Sequence, residues 1–480
     1  MKANVVVMKF GGTSVGDAEC IARTAKIAAE GAKESSVVVV VSAMSGVTNR
    51  LIEIAKRAEK GEREEAQELI EGLRDLHSET IEALVPEGKK RQVLLQRTEA
   101  ILADLSRLAE GTALLRELTP RTLDLISSLG ERLSAPVVAA ALEELGAASE
   151  SIEATELIVT DDYHGGAEPD MGATRERSTA RIRPLLEREV VPVVTGFIGA
   201  TPQGVLTTLG RGGSDYSGTI LGAAISANEV IIWTDVNGVL TADPRLVPEA
   251  QTIPEISYRE AAELAYFGAK VLHPKTLRAV IPAQIPVWIR NSFAPESKGT
   301  KISAEGGNFR SGVKALTAIS DVSLIAVGGP GIVGLPDVVG RTFSTTAEVR
   351  SNVLLISQSS SQNDICFIVA SADALRTAEA LRKEFAQDLM HHKVEHITVD
   401  PNIAIVAVVG ENMRGTVGVA GRTFSTLGRE GINIIAIAQG SSEANISFVV
   451  DQNAMKKALL ALHREFGLGA PATAAKESNA

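Results

Sequence analysis

The stretch Lys9-Phe10-Gly11-Gly12-Thr13-Ser14-Val15 decides the fold of the N-terminal part of the chain. An apolar run, Val5 to Met8, precedes it and is typical of a buried parallel strand, and a helix is predicted from Asp17 onward. At such a strand-to-helix turn, backbone N–H groups and a helix N-terminus point outward together and bind anionic oxygens. The glycines permit close approach of a ligand, and Lys9 adds a positive charge. An ordinary tight turn with a surface lysine is the alternative interpretation.

The composition indicates a globular chain of several domains. Its 480 residues predict about three domains, and 45% of them are hydrophobic. A net charge of −11 with 4% aromatic residues argues against nucleic acid or an anionic membrane as the main partner. Cys20 and Cys366 are too few for a disulfide framework, and the longest aliphatic run, Val37 to Val41, is too short to span a bilayer. We expect no signal peptide and a cytoplasmic protein, or one in an organelle matrix after processing.

Apolar and helical stretches alternate through the first 300 residues, which predicts an α/β fold with parallel strands and right-handed crossovers. Strands are predicted at 4–9, 37–42, 152–159, 190–195 and 229–234. Helices are predicted at 17–33, 47–59 and 216–227, as a hairpin or bundle over 62–117, and as a pair over 119–150. The Gly- and Asp-rich segment 161–173 is predicted as a loop, and the proline-containing segment 282–303 ends the first domain.

An internal repeat follows. The hexapeptide Gly340-Arg341-Thr342-Phe343-Ser344-Thr345 recurs unchanged at 421–426, an offset of 81 residues that also relates Asn352 to Asn433 and Gln358 to Gln439. Each copy has the pattern strand, helix, strand, strand, helix. The first copy closes with a strand at 394–399, whereas the second has only a polar tail left. We therefore predict that the segment 313–319, which precedes the first copy, supplies the missing strand.

Three further stretches are candidates for chemistry. Thr208 to Tyr216 places Arg211 and Asp215 around a second glycine pair, Trp233 to Arg245 follows the end of a strand, and Phe267 to Pro274 contains Lys270. Arg211 suits a carboxylate, because its planar guanidinium donates two parallel hydrogen bonds. A helix-capping aspartate and a solvated arginine are the alternatives. Neither a P-loop motif nor the protein-kinase motif set is present, so phosphoryl transfer would need another scaffold.

These stretches together resemble the signatures of the aspartate kinase family, and the repeat resembles a tandem pair of ACT domains, which bind small amino acids. The resemblance covers nearly the whole chain. It implies an amino-acid-kinase three-layer αβα sandwich with a mainly parallel sheet, followed by two α+β ferredoxin-like ACT domains. The implied domains are 1–305 for the kinase, 320–399 for the first ACT domain and 400–470 for the second, which strand 313–319 completes.

The resemblance implies ATP-dependent phosphorylation of the β-carboxylate of L-aspartate, the first step of lysine, threonine and methionine biosynthesis, with Mg²⁺ bound through the ATP phosphates and no separate metal site. The implied catalytic residues are Lys9, Asp215 and Lys270. The implied ATP-binding residues are Lys9, Gly11, Gly12, Thr13, Ser14, Gly213, Thr234, Asp235, Leu240, Arg245, Lys270 and Val271. The implied substrate-binding residues are Ser42, Thr48, Glu131, Phe197, Arg211 and Ser214. Leu240 departs from the tyrosine common in the family.

The resemblance also implies feedback regulation by an amino acid at the ACT domains, with Gln358, Gln439, Asn352 and Asn433 as allosteric residues. The runs at 358–361 and 439–442 resemble the threonine-responsive branch, so threonine is favoured over lysine. Asp337 departs from the usual glycine. A homodimer or higher homo-oligomer is expected, because ACT domains commonly pair. His392 and His396 have ligand-like spacing, but a solvated pair is the favoured interpretation.

Two other functions stay open on the sequence. One is an amino-acid kinase that acts on glutamate, and the other is a non-catalytic amino-acid sensor that keeps the fold. The residue types favour an enzyme that binds an amino acid, because Glu131 and Arg211 can face an ammonium and a carboxylate. Histidine or cysteine catalysis is not required, since an aspartyl side chain titrates near ~3.9 and is already ionised at neutral pH.

Overall fold

The computed structural model describes residue 2 and residues 4–267, 272–307, 312–329, 336–358, 364–413, 415–440 and 444–469. The packing of these residues divides the chain into two units. The first unit comprises 1–239, 254–262 and 270–307, and the second comprises 240–253, 263–269 and 308–480. Two short segments of the sequence-predicted kinase domain, 240–253 and 263–269, therefore pack within the second unit. The boundaries given for the three domains stay a prediction.

Parallel strands form the centre of the first unit. In chain order its strands are β1 (Val5–Phe10), β2 (Ser36–Val41), β3 (Ser149–Ile152), β4 (Val191–Thr195), β5 (Ile198–Ala200), β6 (Leu206–Thr208), β7 (Glu229–Thr234), β8 (Glu255–Ser257), β9 (Val287–Asn291) and β10 (Thr300–Ser303). The main sheet has the order β3-β4-β2-β1-β7-β9-β10-β8, and only the β9–β10 pair is antiparallel. β5 and β6 pair separately. Central β1 and β2 are buried along their whole length, as their valine-rich sequences predict.

The helices connect and cover these strands. They are α1 (Ala18–Glu34), α2 (Val47–Lys60), α3 (Arg63–Leu84), α4 (Lys89–Leu115), α5 (Pro120–Ser127), α6 (Leu129–Glu144), α7 (Met171–Glu187), α8 (Gly213–Ala224) and α9 (Tyr258–Tyr266). Local signals explain where several begin. Asp17 caps α1 by accepting from the amide of Cys20, and Thr119 caps α5 directly before Pro120. A large apolar core lies between β1, β2 and the helices α1 to α6.

Some elements differ from the sequence prediction. The strand predicted at 152–159 is β3 at 149–152, because its polar sequence pairs at the sheet edge while the apolar residues 157–159 are buried outside it. Helix α7 occupies part of the predicted loop, and the capping side chain of Asp170 starts it. Helix α8 begins at Gly213 rather than at 216, since Gly212 has a left-handed conformation with φ of +72°. The proline-containing segment 282–303 contributes β9 and β10.

One described helical stretch, Pro120–Glu144, is long and apolar enough to cross a membrane by composition. Its most apolar window is 89% buried within the protein, where it contributes to the core. Its apolarity is therefore accounted for by packing in the first unit.

The second unit contains a six-stranded antiparallel sheet in the order β12-β13-β11-β14-β16-β15. Its strands are β11 (Ala315–Gly328), β12 (Leu355–Gln358), β13 (Asp364–Ala370), β14 (His396–Val409), β15 (Ala436–Ala438) and β16 (Asn445–Asp451). Its helices are α10 (Pro336–Glu348), α11 (Ser371–Glu384), α12 (Ala386–Met390), α13 (Val419–Arg429) and α14 (Met455–Glu465). Residues 315–319 of β11 pair with 405–409 of β14, and residues 322–328 pair with β13 of the first repeat copy.

The repeated hexapeptide performs the same packing task in both copies. Arg341 Nε lies 2.7 Å from Glu384 Oε1, and its guanidinium lies over the Phe385 ring at 4.4 Å. At the offset of 81, Arg422 pairs with Glu465 at 3.0 Å and covers Phe466 at 4.7 Å. In each copy the arginine therefore fixes the first helix against the end of the second by an ion pair and a cation–π contact. The helix pairs are α10 with α11 and α13 with α14.

Candidate active site

A cavity of about 710 Å³ opens in the first unit where β1, β2 and β7 end. The first turns of α2 and α8 also line it. Carboxyl ends of parallel strands and helix N-termini commonly form ligand sites in α/β sheets. The position of the cavity thus makes it the candidate active site.

Most of the site residues predicted from the sequence line this cavity. Of the predicted catalytic and ATP-binding residues these are Lys9, Gly11, Gly12, Thr13, Gly213, Asp215, Thr234 and Asp235. Of the predicted substrate-binding residues they are Ser42, Thr48, Glu131, Phe197, Arg211 and Ser214. Residues from widely separated parts of the chain therefore meet in one chamber.

Lys9 and Asp215 form an ion pair at the cavity, in which Lys9 is buried and Asp215 is half-buried. Lys9 is the penultimate residue of β1 and is only 6% exposed, and Asp215 lies in the first turn of α8. Lys9 Nζ lies 2.5 Å from Asp215 Oδ1. A side chain at Gly218 would place its Cβ 3.1 Å from that of Lys9, so this glycine lets α8 lie close to β1. The packing holds the ammonium group in a fixed position before any ligand arrives.

In the glycine turn after β1, the backbone lies close to neighbouring groups of the site. A Cβ at Gly11 would lie 3.5 Å from Lys9 Nζ, and one at Gly12 would lie 3.2 Å from Ala43 O. The amide of Gly11 donates to Trp233 O at 3.0 Å, so it is occupied within the protein. Ser14 is buried and its Oγ lies 2.8 Å from Ser292 Oγ, so this hydroxyl is engaged away from the cavity. Gly12 and Thr13 are the other residues of this turn that line the cavity.

Glu131 is a buried carboxyl group facing the same cavity. It lies in the first turn of α6 and is 3% exposed. Burial raises the pKa of Glu131 to about 8, although nearby backbone amides, the Ser214 hydroxyl and the charge of Lys9 oppose this rise. Ser214 Oγ donates to Glu131 Oε1 at 3.5 Å, and Oε2 has no hydrogen bond of normal geometry within the described residues. A cationic ligand group would supply the missing partner.

Arg211 lies on the loop between β6 and α8, and its side chain is exposed at the cavity wall. It makes no ion pair with any residue that the structure describes. A Cβ at Gly212 would lie 2.6 Å from His273 Cβ, so the next position in this loop must be glycine. Within the described residues, Arg211 is therefore a cation without an ion-pair partner, on the wall of the cavity that Lys9 and Glu131 also line.

Phe197 has a strained backbone at the cavity. Its φ is +69°, an unusual value for an aromatic residue, and its amide donates to Ser217 Oγ at 2.9 Å. A Cβ at Gly213 would lie 2.7 Å from Phe197 Cδ2, so the ring packs directly on the start of α8. Strain of this kind persists where surrounding contacts enforce it and is typical of functional sites.

Besides Ser14, four of the predicted ATP-binding residues are not found on the wall of this cavity. Lys270 and Val271 lie outside the described residues. Leu240 and Arg245 belong to the second unit, where Leu240 bridges to Thr252 and Arg245 pairs with Asp243 at 2.6 Å. Their roles at a nucleotide stay predictions.

Sequence reasoning did not single out Asp124, Gly165 and Thr208, which also line the cavity. A single aspartate in a predicted helix gives no signal of its own, because most such residues are solvated. The apolar neighbours Leu123, Leu125 and Ile126 are the only indication that this helix is buried. Over the residues described, no group of three or more His, Cys, Asp or Glu side chains could hold a metal ion.

Two family descriptions match the chain. The amino acid kinase family matches residues 4–291, and the ACT domain family matches residues 325–385 and 406–466.

Two curated relatives are both named as aspartokinases. Bifunctional aspartokinase/homoserine dehydrogenase 1, chloroplastic, of Arabidopsis thaliana is 35% identical over 468 residues, which cover 96% of this chain and 51% of the relative. Aspartokinase 1, chloroplastic, of the same plant is 32% identical over 477 residues, which cover 97% of this chain and 80% of the relative. The chain thus spans about half the length of the bifunctional relative.

A solved structure has the same fold over nearly the whole of both chains. Aspartokinase III of E. coli in complex with aspartate and ADP (R-state) superposes with a TM-score of 0.81 at 32% identity, covering 96% of this chain and 99% of that chain. The same enzyme in complex with lysine and aspartate (T-state) gives a TM-score of 0.79. The predicted amino-acid-kinase sandwich followed by ACT domains is therefore confirmed, and the chain belongs to the aspartokinase family.

Proposed function

We propose that this chain transfers the γ-phosphoryl group of ATP to the β-carboxylate of L-aspartate, giving 4-phospho-L-aspartate and ADP. The observation that carries the proposal is the convergence of the Lys9–Asp215 ion pair, Glu131 and Arg211 on one cavity. The named ligands of the E. coli enzyme, aspartate and ADP, agree with this assignment. In this role the chain would catalyse the first step of lysine, threonine and methionine biosynthesis.

Substrate recognition follows from two opposite charges. Arg211, which has no ion pair among the described residues, can donate to the α-carboxylate. The buried carboxyl of Glu131 can bind the ammonium group once this carboxyl is ionised. The β-carboxylate is the nucleophile and is ionised at neutral pH, so a general base is not needed. Its oxygen attacks the γ-phosphorus while the bond to the bridging oxygen of ADP breaks.

Catalysis then consists of positioning and charge neutralisation. The ammonium of Lys9 is held by Asp215 next to Gly11 and can stabilise charge on the transferring phosphoryl group. Lys270 is proposed as a second cation from its sequence motif alone. Mg²⁺ would be carried by the phosphates of ATP and would neutralise their charge.

The proposal is tested by ADP release from the full chain with ATP, Mg²⁺ and one amino acid at a time. Release that depends on L-aspartate supports it. Release with L-glutamate instead would favour the other amino-acid kinase, and no release with any amino acid, despite binding, would favour a sensor.

Arg211→Ala is expected to raise the KM for aspartate by about tenfold, because a charge-assisted hydrogen-bonding partner of the α-carboxylate is lost. The kcat at saturating aspartate and the KM for ATP should change much less. Initial rates over a range of aspartate concentrations measure this. Arg107→Ala, which removes an exposed arginine of α4, is the control. An unaltered KM in Arg211→Ala would remove Arg211 from the carboxylate role.

We also propose that an amino-acid effector, threonine in preference to lysine, binds the second unit and inhibits the enzyme. Gln358 ends β12, Gln439 follows β15, and both side chains are exposed. These two edge strands approach each other, since Ser357 Oγ donates to Ile437 O at 3.4 Å. Asn352 and Asn433 precede the same strands and are also exposed. Of the two runs used to favour threonine, 359–361 and 441–442 lie outside the described residues.

Lysine is the rival effector, because it is the ligand named for the T-state of the E. coli enzyme. Rates with each amino acid alone and with both together distinguish the two. Asp337 stands at the start of α10, where the family usually has glycine. Its Oδ2 lies 3.8 Å from Arg341 Nη1, so its charge is partly compensated. A homodimer or higher oligomer and a cytoplasmic location remain part of the proposal.

The second unit also holds the segment that leads to Lys270. Tyr266 Oη donates to Val353 O and Leu354 O at 3.4 and 3.3 Å, directly before β12. Thr317 Oγ1 donates to Phe267 O at 2.7 Å. An effector that moves β12 would therefore also move Tyr266, four residues before the predicted catalytic residue Lys270.

Tyr266→Phe is expected to raise the effector concentration for half-inhibition about fivefold or more, because the link to β12 is lost and typical coupling energies correspond to such factors. Uninhibited rates should stay the same. Tyr258→Phe is the matched control, since Tyr258 lies on the same helix and donates to Ile285 O in the first unit. Equal inhibition of both variants and the parent chain would contradict the link.

A further inference from the structure

Asp124 is a buried carboxylate at the cavity wall whose partners come from two other segments. It lies on α5 and is 2% exposed. Its Oδ1 accepts from Thr208 Oγ1 at 2.6 Å, and both oxygens lie 3.1 Å from the amide of Gly165. Its Oδ2 lies 2.9 Å from His164 Nδ1 and 3.3 Å from the amide of Thr208. The carboxylate therefore joins the loop at 164–165 to the end of β6.

The two segments are also bonded to each other. Ala167 N donates to Thr208 O at 2.9 Å. Gly210 has a φ of +77°, and a Cβ there would lie 2.9 Å from Gly165 O, so the two backbones are in contact. Gly165, Thr208 and Gly210 all line the cavity with Asp124. This arrangement fixes the chain immediately before Arg211.

We propose that Asp124 is a positioning residue that sets the affinity for the substrate carboxylate by holding, through Thr208, the loop that carries Arg211. This inference rests on the proposed function, in which Arg211 binds the α-carboxylate of aspartate. Arg211 is exposed and has no ion pair of its own in the described part of the chain, so its location depends on the backbone that carries it. The backbone is anchored three residues earlier, at Thr208, by the shortest of the Asp124 contacts.

The chemistry of the contacts explains why a carboxylate is needed. Both oxygens of Asp124 accept, and each faces N–H or O–H donors. An amide side chain would turn an NH₂ group toward at least one of those donors. The buried position makes that mismatch costly, because a buried donor is left without its acceptor.

The test compares Thr208→Val, which removes the hydroxyl at nearly constant volume, with Thr208→Ser, which keeps it. Thr208→Val is expected to raise the KM for aspartate about tenfold, since small displacements of a binding group have effects of this size or larger. The kcat at saturating aspartate and the KM for ATP should stay within about twofold. Thr208→Ser should restore the KM. Asp124→Asn should raise the KM for aspartate as Thr208→Val does.

Thr112→Val is the control for the loss of a buried threonine hydroxyl, because Thr112 is 3% exposed and donates to Leu108 O on α4. It should lower the melting temperature without changing the KM for aspartate. An unchanged KM in Thr208→Val, or an equal KM increase in Thr208→Ser, would overturn the positioning role while the parent chain stays active. A parent chain without aspartate-dependent ADP release would overturn the proposed function itself, and this inference with it.

Discussion

Lys9→Ala is expected to lower the kcat for aspartate-dependent ADP release by about 10²–10³-fold, the effect of removing one preorganised donor that stabilises developing charge. The reason is the position of the Lys9 ammonium, which Asp215 holds at 2.5 Å beside the glycine turn. Initial rates at saturating ATP and aspartate measure the loss.

Stability must be followed in the same variant, because Asp215 loses its partner in a site where its side chain is only 19% exposed. Lys9→Met keeps most of the side-chain volume of lysine but removes its charge. Its kcat should therefore fall by about as much as that of Lys9→Ala. Lys90→Ala is the control, since Lys90 pairs with Glu143 and Glu144 at the end of α6. A kcat of Lys9→Ala close to that of Lys90→Ala would contradict the catalytic role of Lys9.

Glu131→Gln is expected to raise the KM for aspartate by about 10²-fold, because truncating a buried charge partner has an effect of that order. The pKa of Glu131 is raised to about 8, so the carboxyl is mostly protonated in the ligand-free protein at neutral pH. Binding of an ammonium favours the ionised form and releases the proton. The KM of the parent chain should therefore fall by up to about tenfold per pH unit as the pH rises toward 8.

The stability of the ligand-free protein should decrease over the same pH range in which aspartate binding becomes stronger. The pKa of Glu131 is higher in the folded chain than its ordinary 4.5, so the protonated group stabilises the fold at low pH. That contribution is lost as the pH rises through about 8. Glu131→Gln should consequently have a higher melting temperature than the parent chain at pH 8 and little difference near pH 4.5.

Glu260→Gln is the matched control for both experiments. Glu260 is also buried, and it accepts from the amide of Ser257 at the start of α9. It should leave the KM for aspartate and its pH dependence unchanged. A flat pH dependence of KM in the parent chain, with no gain in melting temperature for Glu131→Gln at pH 8, would contradict the ammonium-binding role.

The sequence predicts the fold where local pattern and packing agree. Valine-rich β1 and β2 are buried on both faces, so an apolar run identifies them. The edge strand β3 has the polar sequence 149–152, whereas the residues that follow it at 157–159 are apolar. The apolar pattern therefore predicts the strand at 152–159, which is wrong. Helix α7 has a weak apolar stripe and follows a Gly- and Asp-rich loop, so only its Asp170 cap marks it.

The site is predictable where a residue belongs to a recognisable motif. Lys9, Arg211 and Asp215 stand beside glycine pairs, and the structure places all three at one cavity. Asp124 has no motif, because its function depends on hydrogen bonds to residues about 40 and 84 positions away, at His164 and Thr208. The raised pKa of Glu131 likewise arises from burial that the sequence does not display.

The measurement that tests the central claim most directly is trapping of the acyl phosphate with hydroxylamine. With ATP, Mg²⁺ and L-aspartate, the chain is predicted to form the β-hydroxamate of aspartate in an amount that matches ADP release. Release of ADP without any hydroxamate, or hydroxamate formation with L-glutamate but not with L-aspartate, would contradict phosphorylation of the β-carboxylate of aspartate.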